Sequence, residues 1–153
     1  MNRKYDIAII GAGPGGYVAA IRAAQLKKRV IVIEKDNVGG TCMNWGCIPT
    51  KYILKQTKEY AKIMANDNIH GDKFGLTCDW ARLQEEKNKV VLKLVKGIEF
   101  LLKQNGVALC KGEARLMSER EVQVRHAEEE YIYEADKIIL ATGSVATDLP
   151  FLR

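Results

Sequence analysis

Apolar positions along the chain change period several times, and each change marks an element. Residues 5–10 form a short apolar run broken only by Asp6 and ended by Gly11, the pattern of a buried parallel strand. Residues 14–28 have helical spacing, with Val18, Ile21 and Leu26 predicted on one face and alanines allowing close approach to a sheet. Residues 30–33 are β-branched throughout and lead to Glu34. Strand, turn, helix and strand in this order make a βαβ unit, right-handed in nearly all cases. Residues 41–65 read as helix with a local interruption expected at Pro49. A polar, Gly-containing connection over residues 66–77 follows. Then Trp80, Leu83, Val90, Val91, Leu94, Val95, Ile98, Leu101 and Leu102 repeat at three-four spacing, predicting a long amphipathic helix closed by Gly106. That stripe is expected to pack on the protein's own core. Residues 107–110 predict a strand, and 114–117, 121–125 and 130–133 a small antiparallel meander with turns at 118–120 and 126–129. Residues 137–141 predict a last buried strand ending in Thr142-Gly143-Ser144, and there is no internal repeat or low-complexity linker.

Composition narrows the class. A chain of 153 residues, 47% hydrophobic and 28% charged, suits one domain with a real core. The net charge is +5, but nucleic-acid binding asks for basic residues interleaved with aromatics on one surface. Lys27, Lys28 and Arg29 fall instead at a predicted helix end, where cations complement the dipole. Arg3 and Lys4 precede apolar residues, yet Asp6 and the glycine cluster interrupt any signal-peptide core. No stretch is long enough to cross a membrane. Four cysteines without an export signal point to a reducing compartment, where a disulfide is more often catalytic than structural, so a cytoplasmic location is expected.

The turn between the first strand and the first helix carries Gly11, Gly13 and Gly16. A Gly-x-Gly-x-x-Gly triplet alone is a weak signal. This one follows a strand, opens a helix, and has an acidic residue at the end of the next strand, which is the context a dinucleotide-binding turn requires. Gly11 would permit the tight turn, Gly13 the approach of main chain to a pyrophosphate, and Gly16 the close packing of helix on sheet. The helix N-terminus offers N–H groups and positive potential to a diphosphate. Glu34 would accept hydrogen bonds from ribose hydroxyls, and its charge would oppose a 2′-phosphate. The plainer alternative, a Gly-rich turn with Glu34 solvated, fits this context poorly. The fingerprint does not separate FAD from NAD.

Cys42 and Cys47 stand five residues apart in Gly39-Gly40-Thr41-Cys42-Met43-Asn44-Trp45-Gly46-Cys47-Ile48-Pro49-Thr50-Lys51. In an ideal helix that spacing separates Cα atoms by roughly 8–9 Å, whereas a disulfide usually needs less than about 7 Å. A bridge therefore requires a distorted turn, which Gly46 and Pro49 are placed to supply. A strained bridge is readily reduced, and a helix N-terminus favours a thiolate; both suit a redox role. Two alternatives stay open. Zinc would need further ligands, and Cys78 and Cys110 show no partner spacing. Two independent buried thiols are also compatible with the pattern, and Cys78 and Cys110 themselves read as core fillers. Beside the nucleotide fingerprint, the pair makes electron exchange between a flavin and a thiol the leading chemistry.

Residues 39–51, with Gly11-Ala12-Gly13-Pro14-Gly15-Gly16 and Ala141-Thr142-Gly143-Ser144, strongly resemble the FAD-containing pyridine nucleotide–disulfide oxidoreductases. The likeness runs from Tyr5 to about Pro150. It implies a Rossmann-like FAD/NAD(P)-binding α/β fold with a parallel sheet, flanking helices and a small antiparallel β-meander. It also implies a redox-active Cys42–Cys47 disulfide, with Cys47 nearest the flavin and Cys42 exchanging with a dithiol substrate. Lys51 would lie beside the isoalloxazine, its cation favouring negative charge on the reduced flavin. Gly11, Gly13, Pro14, Gly15 and Gly16 would hold the diphosphate. Glu34, Lys35, Gly39, Gly40 and Thr41 would line the adenosine and ribityl side. Ala114, within Gly112-Glu113-Ala114, would meet adenine through its main chain, and Ala141, Thr142, Gly143 and Ser144 would close over the cofactor. The plainer reading of these last segments is strand-end turns, which are common.

Thr50 is similar to the dihydrolipoamide-oxidising branch of the family, since glutathione reductases usually carry a basic residue there. Mercuric and other flavin disulfide reductases remain alternatives, as does a stand-alone FAD- or ADP-binding module without catalysis. Family members are much longer, so residues 1–153 are expected to be an N-terminal FAD-binding domain without the NAD-binding and dimerisation domains. His70, in a loop, and His126, in a charged turn, match no catalytic base of the family and are expected to face solvent. The whole enzyme would be a homodimer passing electrons from dihydrolipoamide to FAD and then NAD. Its dithiol would come free or on the lipoyl domain of a 2-oxoacid dehydrogenase or glycine cleavage complex. No metal, nucleic acid or membrane partner is expected, and the chain alone should not turn over. Ala146 replaces the proline common after Ala-Thr-Gly, which touches only local turn geometry.

Overall fold

A computed structural model of the chain describes residues 3–72, 75–149 and 151. The element order is β1 (Arg3–Ile10), α1 (Pro14–Gln25), β2 (Val30–Glu34), α2 (Gly40–Asn44), α3 (Cys47–Ala65), α4 (Trp80–Gln104), β3 (Ala108–Lys111), β4 (Glu113–Leu116), β5 (Glu121–His126) and β6 (Glu129–Leu140). One sheet runs β3-β2-β1-β6-β5-β4. The first four strands in that order are parallel neighbours, with Ile9 opposite Val32 on one side and Ile139 on the other. The last pairs are antiparallel. The expected α/β architecture with a terminal antiparallel segment is what forms.

Strand alternation divides the core in two. Ile9, Val30 and Val32 face α1 and α4, packing with Ala20, Ala23, Ile98 and Leu102. Ala8, Ile31 and Ile33 point to the opposite face, where Val122, Val124, Tyr133 and Ala135 cover them. The sheet thus curls so that its own antiparallel end closes the second face.

Several expectations need correction. The predicted meander strand and the predicted last strand are one strand, β6, paired antiparallel to β5 through Glu134 and parallel to β1 from Tyr133 onward. Beyond Glu134 its second edge has no strand among the described residues, so Ile139 and Leu140 are exposed rather than buried. On α1, Val18 and Leu26 face solvent, and the sheet is met by Gly16, Ala20 and Ala23. Small residues let the helix come close, and bulky ones at that face would hold it off. α1 also stops at Gln25, because Lys27 turns left-handed (φ 64°) and Lys28 N–H reaches Ala23 O. The break within residues 41–65 falls at Trp45 and Gly46, not at Pro49, which sits buried in the first turn of α3. A proline there has no intrahelical N–H bond to lose. On α4 only part of the apolar stripe is covered: Leu83, Val91, Ile98 and Leu102 are buried, while Trp80, Leu94 and Leu101 are exposed. Of the connection over 66–77, residues 73 and 74 lie outside the described residues. No helix among the described residues is long and apolar enough to cross a membrane.

Candidate functional site

The carboxyl ends of β1, β2 and β6 converge on the start of α1, where an open α/β sheet offers a ligand crevice. A Cβ on Gly16 would overlap the carbonyl oxygen of Gly11, and one on Gly11 (φ 103°) would overlap that of Ala141. These two glycines are demanded by the protein itself. Gly13 is different: its backbone is extended, and the nearest atom to an added Cβ is Gly40 Cα at 3.9 Å. Gly15 has nothing within 4 Å. Both line a cleft of about 760 Å³ instead. No side chain caps the helix; its first main-chain bond is Tyr17 N–H to Gly13 O. The N–H groups of that first turn are left to whatever enters the cleft.

Glu34 ties this turn down. One carboxylate oxygen accepts from Ala12 N–H at 2.7 Å and the other from Asp36 N–H at 2.8 Å. Each oxygen keeps a second lone pair, and Glu34 lines the cleft. The next segment is clamped by Asn44, whose Nδ2 donates to Val38 O and Gly40 O. Gly39 N–H donates to Ala12 O, tying the start of α2 to the glycine turn.

The cysteine pair flanks the junction of the short helix α2 with the longer α3. Cys42 lies in α2 and Cys47 opens α3, with the reversal made at Trp45 and Gly46. A Cβ at Gly46 would stand 3.0 Å from Thr41 O, tighter than ordinary van der Waals contact, so glycine eases the reversal. All four cysteines are thiols; Cys42 is half-buried and Cys47 exposed. A side-chain hydrogen bond with Cys47 raises the Cys42 thiol above its ordinary 9.0, with burial and the Cys47 charge adding to it. The Cys47 main chain and the Lys51 ammonium oppose that rise. The rise favours the protonated thiol at Cys42.

One cleft collects Gly11, Gly13, Pro14, Gly15, Glu34, Lys35, Gly40, Thr41, Cys42, Cys47, Ala141, Thr142, Gly143 and Ser144. A smaller hollow of about 180 Å³ shares Gly11, Glu34, Lys35 and Thr142 with it and extends to Gly112 and Ala114. Three residues singled out by sequence do not line either space. Gly16 lies beneath the turn, Gly39 packs on Met43, and Lys51 points from α3 into solvent while its charge still reaches Cys42. Trp45 and Val145 line the cleft and carry no sequence signal beyond their neighbours. Cys78 is exposed rather than a core filler, because it lies in the turn before α4. Cys110 is half-buried, with its Sγ 3.3 Å from Tyr133 Oη. His70 and His126 face solvent. No cluster of three His, Cys, Asp or Glu suited to a metal occurs among the described residues.

A Gly-rich βαβ turn and a neighbouring pair of thiols open on one cleft, the arrangement expected of a nucleotide-linked thiol–disulfide protein. The chain belongs to the pyridine nucleotide-disulphide oxidoreductase family, whose model matches residues 5–152. It is 41% identical over 152 residues to a dihydrolipoyl dehydrogenase of Bacillus subtilis (strain 168), aligning 95% of this chain with 32% of that protein. It is 44% identical over 152 residues to the dihydrolipoyl dehydrogenase of Trypanosoma brucei brucei, covering 97% and 32% respectively. Among solved structures it resembles a Cu(II) complex of the HOCl-induced flavoprotein disulfide reductase RclA from Escherichia coli. That match has a TM-score of 0.82 at 27% identity and covers 98% of this chain and 31% of the other. The chain spans about a third of the length of these relatives. The family and the fold expected from the cysteine segment are thereby borne out.

Proposed function

We propose that residues 1–153 are the FAD-binding domain of a dihydrolipoamide dehydrogenase. The observation that carries this reading is that Cys42 and Cys47 open on the same cleft as the uncapped start of α1 and Glu34. FAD fits these residues: Gly13 and Gly15 leave room that no protein neighbour uses, as a diphosphate against the main chain requires. Glu34 would hold the ribose hydroxyls with its remaining lone pairs, Gly112 and Ala114 would flank the adenine, and Thr142 to Ser144 would cover the cofactor. When bound, FAD supplies the electron-accepting centre that NAD finally discharges in the whole enzyme.

The chain's own part is thiol exchange. A substrate thiolate attacks Sγ of Cys42 in the oxidised pair, and Cys47 leaves as thiolate. The second substrate thiol then closes a cyclic disulfide and expels Cys42, which takes up a proton. The substrate loses two electrons and two protons; the pair gains both electrons and, on Cys42, one proton, and the other proton passes to solvent. The Lys51 ammonium, whose charge reaches the pair, favours the thiolate released in the exchange. The dithiol is dihydrolipoamide, free or on the lipoyl domain of a 2-oxoacid dehydrogenase or glycine cleavage complex, and the whole enzyme works as a cytoplasmic homodimer.

Thiol counting tests the reading. The oxidised chain treated with dihydrolipoamide should release two thiols, and neither Cys42→Ser nor Cys47→Ser should form the bridge. An oxidised chain that never links Cys42 to Cys47 overturns it. The likeness to a flavoprotein disulfide reductase at 27% identity favours a second reading, a disulfide reductase with another substrate. Faster opening of the bridge by glutathione than by dihydrolipoamide would support that one.

A further inference from the structure

Cys47 does not stand alone on its helix. Lys51, Lys55, Lys58 and Lys62 follow it at steps of four, four, three and four residues. At about 100° per residue, all five side chains leave α3 within roughly 80° of arc. The four lysines are exposed. The adjoining face, with Tyr52, Gln56, Glu59 and Ile63, is the one turned to α4, and Tyr52 Oη bonds Glu86 there. The lysine face is therefore left to solvent by the packing. α3 carries one acidic residue, Glu59, 3.9 Å from Lys55 in an exposed pair that neutralises little. Like charges at such spacing work against a helix, so solvation alone gives no reason to gather them on one line.

We propose that this row is a docking surface for an acidic protein domain that carries the dithiol to the cysteine pair. The inference rests on the dithiol exchange proposed above and adds the partner's surface chemistry. From Lys51 to Lys62 the row extends about 17 Å, beyond the reach of a small free dithiol, so only a macromolecular donor engages its whole length. A nucleic acid fits less well, because Tyr52 and Tyr60, which could stack on bases, border the groove toward α4. Attraction along the row raises the encounter rate and leads the donor toward the helix end where the thiols lie.

The test uses the oxidised full chain and two synthetic dithiols, a dihydrolipoyl group on a hexaglutamate peptide and the same group on a hexaserine peptide. At low salt the acidic probe should open the bridge about tenfold faster than the neutral one, and at about 0.5 M salt the advantage should vanish. Lys55→Gln, Lys58→Gln and Lys62→Gln together should remove the advantage without changing the rate with dithiothreitol. The control triple Lys89→Gln, Lys93→Gln and Lys96→Gln on α4 should keep it. Equal rates for the two probes, or an advantage untouched by the α3 triple, overturn the proposal while leaving the exchange reading intact. Equal competition by an oligothymidylate of matched charge would reduce the row to general anion binding and overturn it too. Failure of dithiothreitol itself to open a bridge would count against the exchange reading and take this one with it.

Discussion

The glycines of the first turn separate structural need from ligand need, and alanine substitutions read the difference. At Gly16 a Cβ would overlap the Gly11 oxygen and lie 2.9 Å from its carbonyl carbon, both main-chain atoms that no rotamer change can move. α1 would have to lift from the sheet, disturbing Ala20 and Ala23 in the core. Such overpacking against backbone costs about 3–4 kcal/mol, which for a chain of this size lowers Tm by roughly 6–16 °C. Gly11→Ala adds a left-handed φ of 103° to an overlap with Ala141 and should cost at least as much. Gly13→Ala meets nothing closer than 3.9 Å in an extended backbone. Its stability cost should stay near the helix-cap difference, about 0.5–1 kcal/mol. Its methyl group nevertheless enters the space proposed for the diphosphate, so FAD affinity should fall about 10–100-fold through lost main-chain hydrogen bonds. Urea unfolding followed by circular dichroism gives the first quantity and FAD titration calorimetry the second. If Gly13→Ala destabilised the fold as much as Gly16→Ala while binding FAD normally, the reasoning would be wrong.

Removing the Glu34 carboxylate leaves Ala12 and Asp36 N–H without their acceptor; Glu34→Ala should cost about 1–3 kcal/mol in urea unfolding and weaken ADP binding in the same preparation. Cys42 in the reduced chain should alkylate with a pH inflection above 9.0, since the Cys47 contact raises it; Cys47→Ala should lower that inflection, as read by mass spectrometry after iodoacetamide pulses. The same shift stabilises the dithiol fold below pH 9.0 and is lost as pH rises through the folded value. Asp6 behaves oppositely: Arg29 N–H, 2.6 Å from its carboxylate, lowers it beneath 3.8. Its contribution is present above that value and lost as pH falls through the folded one, so Asp6→Asn should flatten the acid limb of a stability–pH curve.

Much of the site was legible because its chemistry is local in sequence. Glycine spacing, an acid at a strand end and a cysteine pair around a glycine all declare themselves within a few residues. What escaped depends on distant packing. Val18 and Leu26 look like a core face in α1, yet the approach of the helix to the sheet selects Gly16, Ala20 and Ala23. β6 reads as two strands because Glu134 and Asp136 flank Ala135; only the neighbouring β1 and β5 show that one strand serves both halves of the sheet. Pro49 seemed the natural breaker of the cysteine helix, but the break lies where Gly46 must clear Thr41. Trp45 reaches the cleft through that same reversal, which no local pattern announces.

The central claim, that the thiols and a flavin are coupled within one cleft, is tested most directly by an anaerobic visible spectrum. The purified chain supplied with FAD would be recorded before and after addition of a dithiol. Bound-flavin absorbance and a new long-wavelength band on reduction, lost in Cys47→Ser, are expected. Bound flavin with no such band, or a band that persists in Cys47→Ser, would contradict it.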